Sequence, residues 1–264
     1  MLAEHFDQPP AYLRSLHHLL DFYSDRARRP GQSGMPSPLI DAYNVRPPVL
    51  RQILQELAPL AQENPEQGLA LCDALWREPV LEFRTLAAMY LGQIPTHPPR
   101  AITDRAKSWI TPDLEPYLVE IILTHALSRL RQERPAVLTR LFQEWIESPD
   151  EFYQQLGLQA LLPLIRDRQF ENLPVFFRMV QALARRSPSV LKPDLLDVLE
   201  ALAERSPTET AFFLRQTLET PDALDTPWFT RQLLHAFPVE TQGSLRDALK
   251  TRETSRRMAS RTGA

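Results

Sequence analysis

Twenty-five prolines against seven glycines, with the prolines standing between apolar stretches of helical period, point this 264-residue chain toward an all-helical fold. Proline breaks a helix interior and is kept out of central strands, so here it marks joints. From residue 47 onward apolar residues recur at steps of three and four. Val49, Leu50, Ile53, Leu54, Leu57 and Leu60 form one such stripe, and Leu114, Leu118, Ile121, Ile122, Ala126 and Leu130 another. No stretch alternates convincingly with period two. The breaks predict helices near 10–26, 48–62, 66–77, 80–93, 98–107, 114–131, 135–147, 150–166, 171–186, 190–205, 208–219, 226–236 and 239–250.

Self-similarity groups these helices into pairs. WREPVLEFRTLAAMYL from Trp76, WITPDLEPYLVEIIL from Trp109 and WIESPDEFYQQLGLQALL from Trp145 share a plan: tryptophan at a helix end, a short proline turn, then an apolar helix. The spacings of 33 and 36 residues suit helical-hairpin repeats, in which each unit buries its face only against its neighbours. The expected fold is a curved α-solenoid of about six HEAT-like antiparallel helix pairs. Its parts are an N-terminal helix and loop over 1–46, the repeat array over 47–250, and a basic, disordered tail over 251–264.

A recurring cassette, Ser or Thr followed by Pro, predicts helix starts at Thr111-Pro112, Ser148-Pro149, Ser187-Pro188, Ser206-Pro207 and Thr220-Pro221. The hydroxyl would accept an orphan backbone N–H, and proline at the first helical position loses nothing. Ser148 with Glu151 and Ser206 with Glu209 read as capping boxes. Asp113, Asp150 and Asp222 follow three of those prolines, where a carboxylate favours the positive helix end. Asp113 therefore has a structural reason to exist, and Trp109 has its repeat counterparts Trp76 and Trp145.

Several function classes drop out. The net charge is −3, with 13 basic and 15 acidic residues in the first 132 positions and 17 and 18 in the rest, so no global basic footprint marks nucleic acid. Arginine outnumbers lysine 27 to 3, which suits bidentate phosphate contacts and also ordinary helix surfaces. The lone cysteine, Cys72, lies in the apolar run GLALCDALW and reads as a buried thiol. None of the six histidines shows metal-site spacing, and there is no glycine-rich phosphate loop, GxSxG elbow or HExxH, so no metal or cofactor is expected. The N-terminus lacks a basic segment followed by an apolar one, and no apolar run reaches about 18 residues, which predicts a cytoplasmic chain without a membrane partner.

Three stretches together resemble the AlkD-like DNA alkylation repair family. They are Tyr43-Asn44-Val45-Arg46-Pro47-Pro48-Val49-Leu50-Arg51, then Leu75-Trp76-Arg77-Glu78-Pro79-Val80-Leu81-Glu82-Phe83-Arg84, and Lys107-Ser108-Trp109 with Asp113. The similarity runs over about residues 40–115, and Trp145-Ile146-Glu147-Ser148 looks like the next repeat. It implies a HEAT-like solenoid that holds duplex DNA on its concave face and excises bases made cationic by alkylation. On this resemblance Trp109 faces the lesion and Asp113 is the catalytic carboxylate; another register pairs the family's tryptophan with Ile110. Arg84, Arg129 and the tail arginines 252, 256, 257 and 261 are candidate phosphate contacts.

Two positions depart from the family pattern. Gln155 stands where an arginine is expected, and LLDVLEALAER in 195–205 lacks a second tryptophan. The same helical pairs could therefore serve as a non-enzymatic scaffold for a protein or DNA partner.

Overall fold

The computed structural model describes residues 6–24 and 40–262, with side chains through residue 255. Fourteen α-helices are described: α1 (Pro9–Phe22), α2 (Pro47–Glu63), α3 (Pro65–Arg77), α4 (Leu81–Leu91), α5 (Arg100–Trp109), α6 (Pro116–Ile121), α7 (Ser128–Glu133), α8 (Pro135–Ile146), α9 (Glu151–Arg166), α10 (Pro174–Arg185), α11 (Lys192–Arg205), α12 (Pro207–Leu218), α13 (Thr226–Leu233) and α14 (Val239–Thr262). Among the described residues there is no strand, only an isolated parallel bridge between Asp41 and Val80. No helix there is long and apolar enough to cross a membrane.

The structure fixes which proline starts a helix. Nine helices carry proline at their first or second position, but of the five Ser/Thr-Pro cassettes only Ser206-Pro207 opens an α-helix directly. Thr111-Pro112 lies in a turn closed by the Leu114 N–H on the Thr111 carbonyl, and α6 begins at Pro116 with Glu115 as N-cap. The reason is the second proline: a helix begun at Pro112 would hold Pro116 in its interior, where it lacks a donor and clashes with the preceding turn. Pro193 and Pro227 displace the starts expected at Ser187 and Thr220 in the same way. At α9 the carboxylate of Asp150, rather than the Ser148 hydroxyl, accepts the Phe152 N–H at 3.0 Å. At α12 the expected capping box closes side chain to side chain, the Ser206 hydroxyl donating to Glu209. Pro59 and Pro163 lie inside helices, against the punctuation rule.

The described residues divide into two compact units between Leu138 and Thr139, within α8. In the first, α3 packs along α4, and Leu71, Leu75, Phe83, Leu86 and Tyr90 are fully buried. The helix predicted over 114–131 is broken by a π turn at Ile122–Ala126, closed by Leu127 N–H on the Ile122 carbonyl. That turn lies against the end of α4. A Cβ on Gly92 would sit 2.0 Å from the His125 carbonyl oxygen, so only glycine allows this approach.

In the second unit α11 packs on α9 and α12, around Leu195, Val198, Leu199 and Leu202. The tail expected to be disordered from residue 251 continues α14 to Thr262. Arg252 explains why: its guanidinium donates to the carbonyls of Leu218, Thr220, Pro221 and Ala223 where α12 ends, and Arg231 pairs with Glu253. A basic residue that neutralises a helix C-terminus ties down its own helix without an apolar stripe. The side chains of Arg256, Arg257 and Arg261, and residues 1–5 and 25–39 of the helix and loop expected over 1–46, lie outside the described residues.

Candidate functional site

Two of the three sequence stretches that carry the family resemblance meet around one carboxylate. Glu82, 5% exposed, accepts the backbone N–H of Tyr43 at 3.0 Å and of Val45 at 3.3 Å. The Leu81 N–H donates to the Asp41 carbonyl at 2.8 Å. The Tyr43 hydroxyl lies 2.8 Å from His17 Nδ1, and His17 Nε2 lies 3.3 Å from Glu78. Burial, then the charges of Asp21, Glu82 and Glu78, push the Tyr43 hydroxyl above its usual range. A buried carboxylate that satisfies two backbone donors holds residues 41–47 against the start of α4, with Asn44 at a positive φ of 57° between them. This cluster is structural.

Trp76 and Trp109, at the ends of α3 and α5, stack with ring centroids 4.4 Å apart and planes 8° from parallel. The Arg84 guanidinium lies 5.4 Å from the centre of the Trp76 ring, and its Nε is buried with no hydrogen-bond partner among the described residues. Trp109 is 6% exposed and Ile110 3%, so whichever register is taken, the residue matched to the family's tryptophan is packed inside this unit. Asp113 differs. It is exposed, sits in the turn before α6 and makes no hydrogen bond or ion pair among the described residues. The helix-start role expected of it is not realised.

Arg129 is occupied. Its Nε meets Glu133 at 2.7 Å and one terminal nitrogen meets the Gln93 carbonyl at 2.8 Å. The Thr96 hydroxyl also donates to Glu133 at 2.7 Å, and these bonds to Thr96 and Arg129 hold the Glu133 carboxyl below its usual range. Cys72 is fully buried and burial raises its thiol pKa, which excludes a thiolate nucleophile. Among the described residues no group of three or more His, Cys, Asp or Glu could hold a metal ion.

The sequence model for the family described as DNA alkylation repair enzyme matches residues 23–236. The chain belongs to that family. No curated protein and no solved structure matches it. Family membership gives this DNA alkylation repair enzyme relative a DNA-repair-related role.

Both expected departures lie in the second unit. Gln155, where the arginine was expected, donates to one oxygen of Asp194 at 2.9 Å, and Gln159 donates to the other at 2.8 Å. On α11, where a second tryptophan was expected, Asp197 stands near Asp194 and Glu200; burial first, then those two charges, raises its pKa. Sequence reasoning passed over Tyr117, which is 44% exposed on the first turn of α6. A signal existed: position 117 falls off the 114, 118, 121, 122 stripe, so its ring could not belong to the core.

Proposed function

We propose that the chain binds duplex DNA and hydrolyses the N-glycosidic bond of bases made cationic by alkylation, with Asp113 as the catalytic carboxylate. The observation that carries this reading is Asp113 itself: an exposed carboxylate with no partner among the described residues and no helix-end role, in a member of the DNA alkylation repair enzyme family. The C1′–N bond breaks with its electron pair leaving on the base, which becomes neutral and needs no general acid. The sugar becomes an oxocarbenium-like cation, and the fixed negative charge of Asp113 stabilises what appears only in the transition state. Water adds to C1′, its proton passes to solvent, and an abasic site remains. Neither metal nor cofactor enters.

Arg84 and Trp109 belong to the same reading as residues that shape the DNA-facing surface, Trp109 from beneath through Trp76. Arg129, already paired with Glu133, has less charge to offer a phosphate. The helix pairs would form a curved HEAT-like solenoid of about six pairs with the duplex on its concave face, acting in the cytoplasm.

Incubating the purified protein with methylated duplex DNA and measuring free methylated base tests this. The wild type releases base, Asp113→Asn does not, and the variant loses less than about 0.5 kcal/mol of stability, as expected for an exposed side chain without partners. Absence of release by the wild type, under conditions where another family member works, sinks the glycosylase reading.

A second reading has its own observation. Trp109 is 6% exposed against Trp76, so the aromatic expected at the lesion serves packing. The chain would then be a catalytically inactive α-solenoid that presents a protein- or DNA-binding surface. Damaged-DNA binding lost in a folded Trp109→Phe variant, which keeps the packing of an aromatic ring, counts against it.

A further inference from the structure

We propose that the connection from α12 to α13, in the second unit, is a docking site for an acidic peptide segment that carries two large apolar residues, an interaction that stands whether or not the chain excises a base. Two cavities flank this connection, and Leu224 lines both. The larger, about 620 Å³, lies against α14 and has Leu218, Pro221 and Ala248 in its wall; the smaller, about 310 Å³, lies against the end of α10. Both volumes fall in the range of sites that take up a ligand. Leu224, the wall they share, is 52% exposed, a large apolar side chain held in water between two hollows.

The connection is fixed before anything binds. Arg252 holds one flank by donating to the carbonyls of Leu218, Thr220, Pro221 and Ala223, and on the other the Asp225 N–H donates to the Arg185 carbonyl at 3.0 Å. Ala223 is fully buried beneath it, and the Thr226 hydroxyl donates to the Ala184 carbonyl at 2.7 Å. A loop tied down in this way loses little conformational freedom on docking, so apolar burial over Leu224 goes into affinity.

Charge sets the sign of the partner. The two cavities bring Arg185, Arg186, Arg215 and Arg252 together with only Glu219 and Asp222. Arg252 is committed to the carbonyls. Arg215, however, makes one side-chain hydrogen bond among the described residues, to the neutral Ser244 hydroxyl at 3.2 Å, and Arg186 is exposed. Arg185 buries its Nε with no hydrogen-bond partner among the described residues, an unmet donor that an incoming carboxylate can satisfy. An apolar centre with arginines around it suits protein recognition. A phosphate backbone suits it less, because it brings no apolar side chain to the cavities and meets like charge at Glu219 and Asp222.

The probe is a set of fluorescein-labelled peptides in which two leucines stand at every spacing up to two helical turns within a glutamate-rich frame. Versions with alanine for leucine and with lysine for glutamate are the controls, and binding to the full chain is read by fluorescence anisotropy. At least one glutamate–leucine peptide binds with a Kd of about 10 µM or tighter, and both of its controls bind at least about tenfold more weakly. Leu224→Asp lowers the affinity at least about tenfold, and Arg186→Glu and Arg215→Glu each lower it about fivefold. All three variants keep the wild-type urea midpoint, because the three side chains are exposed. Asp113→Asn binds the peptide as the wild type does, so failure of base release leaves the docking site standing. No binding by any glutamate–leucine peptide, equal binding of the alanine version, or binding untouched by Leu224→Asp overturns the proposal. If no peptide binds and Arg186→Glu and Arg215→Glu instead weaken binding of duplex DNA, the surface is a phosphate contact and the proposal falls.

Discussion

Trp76 and Trp109 lie face to face, 4.4 Å between ring centroids and 8° from parallel, although 33 residues separate them in the chain. The repeat spacing thus becomes a physical contact between the ends of α3 and α5. Trp109→Ala is expected to cost about 3–4 kcal/mol, since it removes a buried indole and leaves a cavity. Trp76→Ala costs less, because Trp76 is only half-buried. Urea unfolding of both variants and the double variant should return a coupling of about 1 kcal/mol; additivity of the two losses would mean the stack contributes nothing beyond burial.

Asp194 has both oxygens committed, to Gln155 and Gln159. Restoring an arginine by Gln155→Arg is therefore expected to form an ion pair with Asp194 and leave DNA affinity nearly unchanged. Adding Asp194→Asn frees that arginine, and the slope of log affinity against log salt should steepen by about one. Salt titrations of the single and double variants decide it.

Asp225 binds Lys192 at 2.7 Å and the Ser187 N–H at 2.9 Å, holding the start of α11 beside the start of α13. Burial alone would raise its pKa, but these two bonds and the charges of Lys192 and Arg186 outweigh it and bring the value below the ordinary aspartate range. With the folded pKa depressed, the stabilisation is complete above the unfolded value of about 3.9 and is lost as pH falls through the lower, folded value. Asp225→Asn should cost about 1–2 kcal/mol at neutral pH, and urea midpoints of variant and wild type should converge as pH falls below the unfolded value of about 3.9.

Two glycine-to-alanine changes are expected to have opposite signs. At Gly92 a Cβ meets the His125 carbonyl oxygen at 2.0 Å, and backbone cannot swing aside, so Gly92→Ala destabilises by at least about 2 kcal/mol. At Gly243, inside α14, a Cβ meets nothing within 4 Å, so Gly243→Ala gains about 0.5–1 kcal/mol. Thermal melts of the two variants test both.

The helices were legible because apolar periodicity and prolines report local geometry, and every predicted segment from 48 to 250 overlaps an observed helix. What was not legible is competition between prolines. Thr111-Pro112 looks like a helix start until Pro116 is weighed against it, and that misjudgement hid how little structural use Asp113 has. Tail residues 251–262 were misread for a related reason. Their order comes from Arg252 reaching carbonyls about thirty residues earlier, which no local window can register. Gln155 stood out in the sequence as a departure, but its partner Asp194 lies 39 residues away and only the fold brings them together.

The Glu82 clamp changes what a family signature can mean. Tyr43, Val45 and Glu82 stand in the stretches that make the chain recognisable, yet what they do is pin one backbone segment to one helix. Selection for a well-folded first unit would preserve those letters whether or not any base is ever excised. Descendants that have traded excision for mere attachment to DNA would keep the same signature. Evidence for excision in this chain therefore has to come from outside that clamp, from the exposed Asp113.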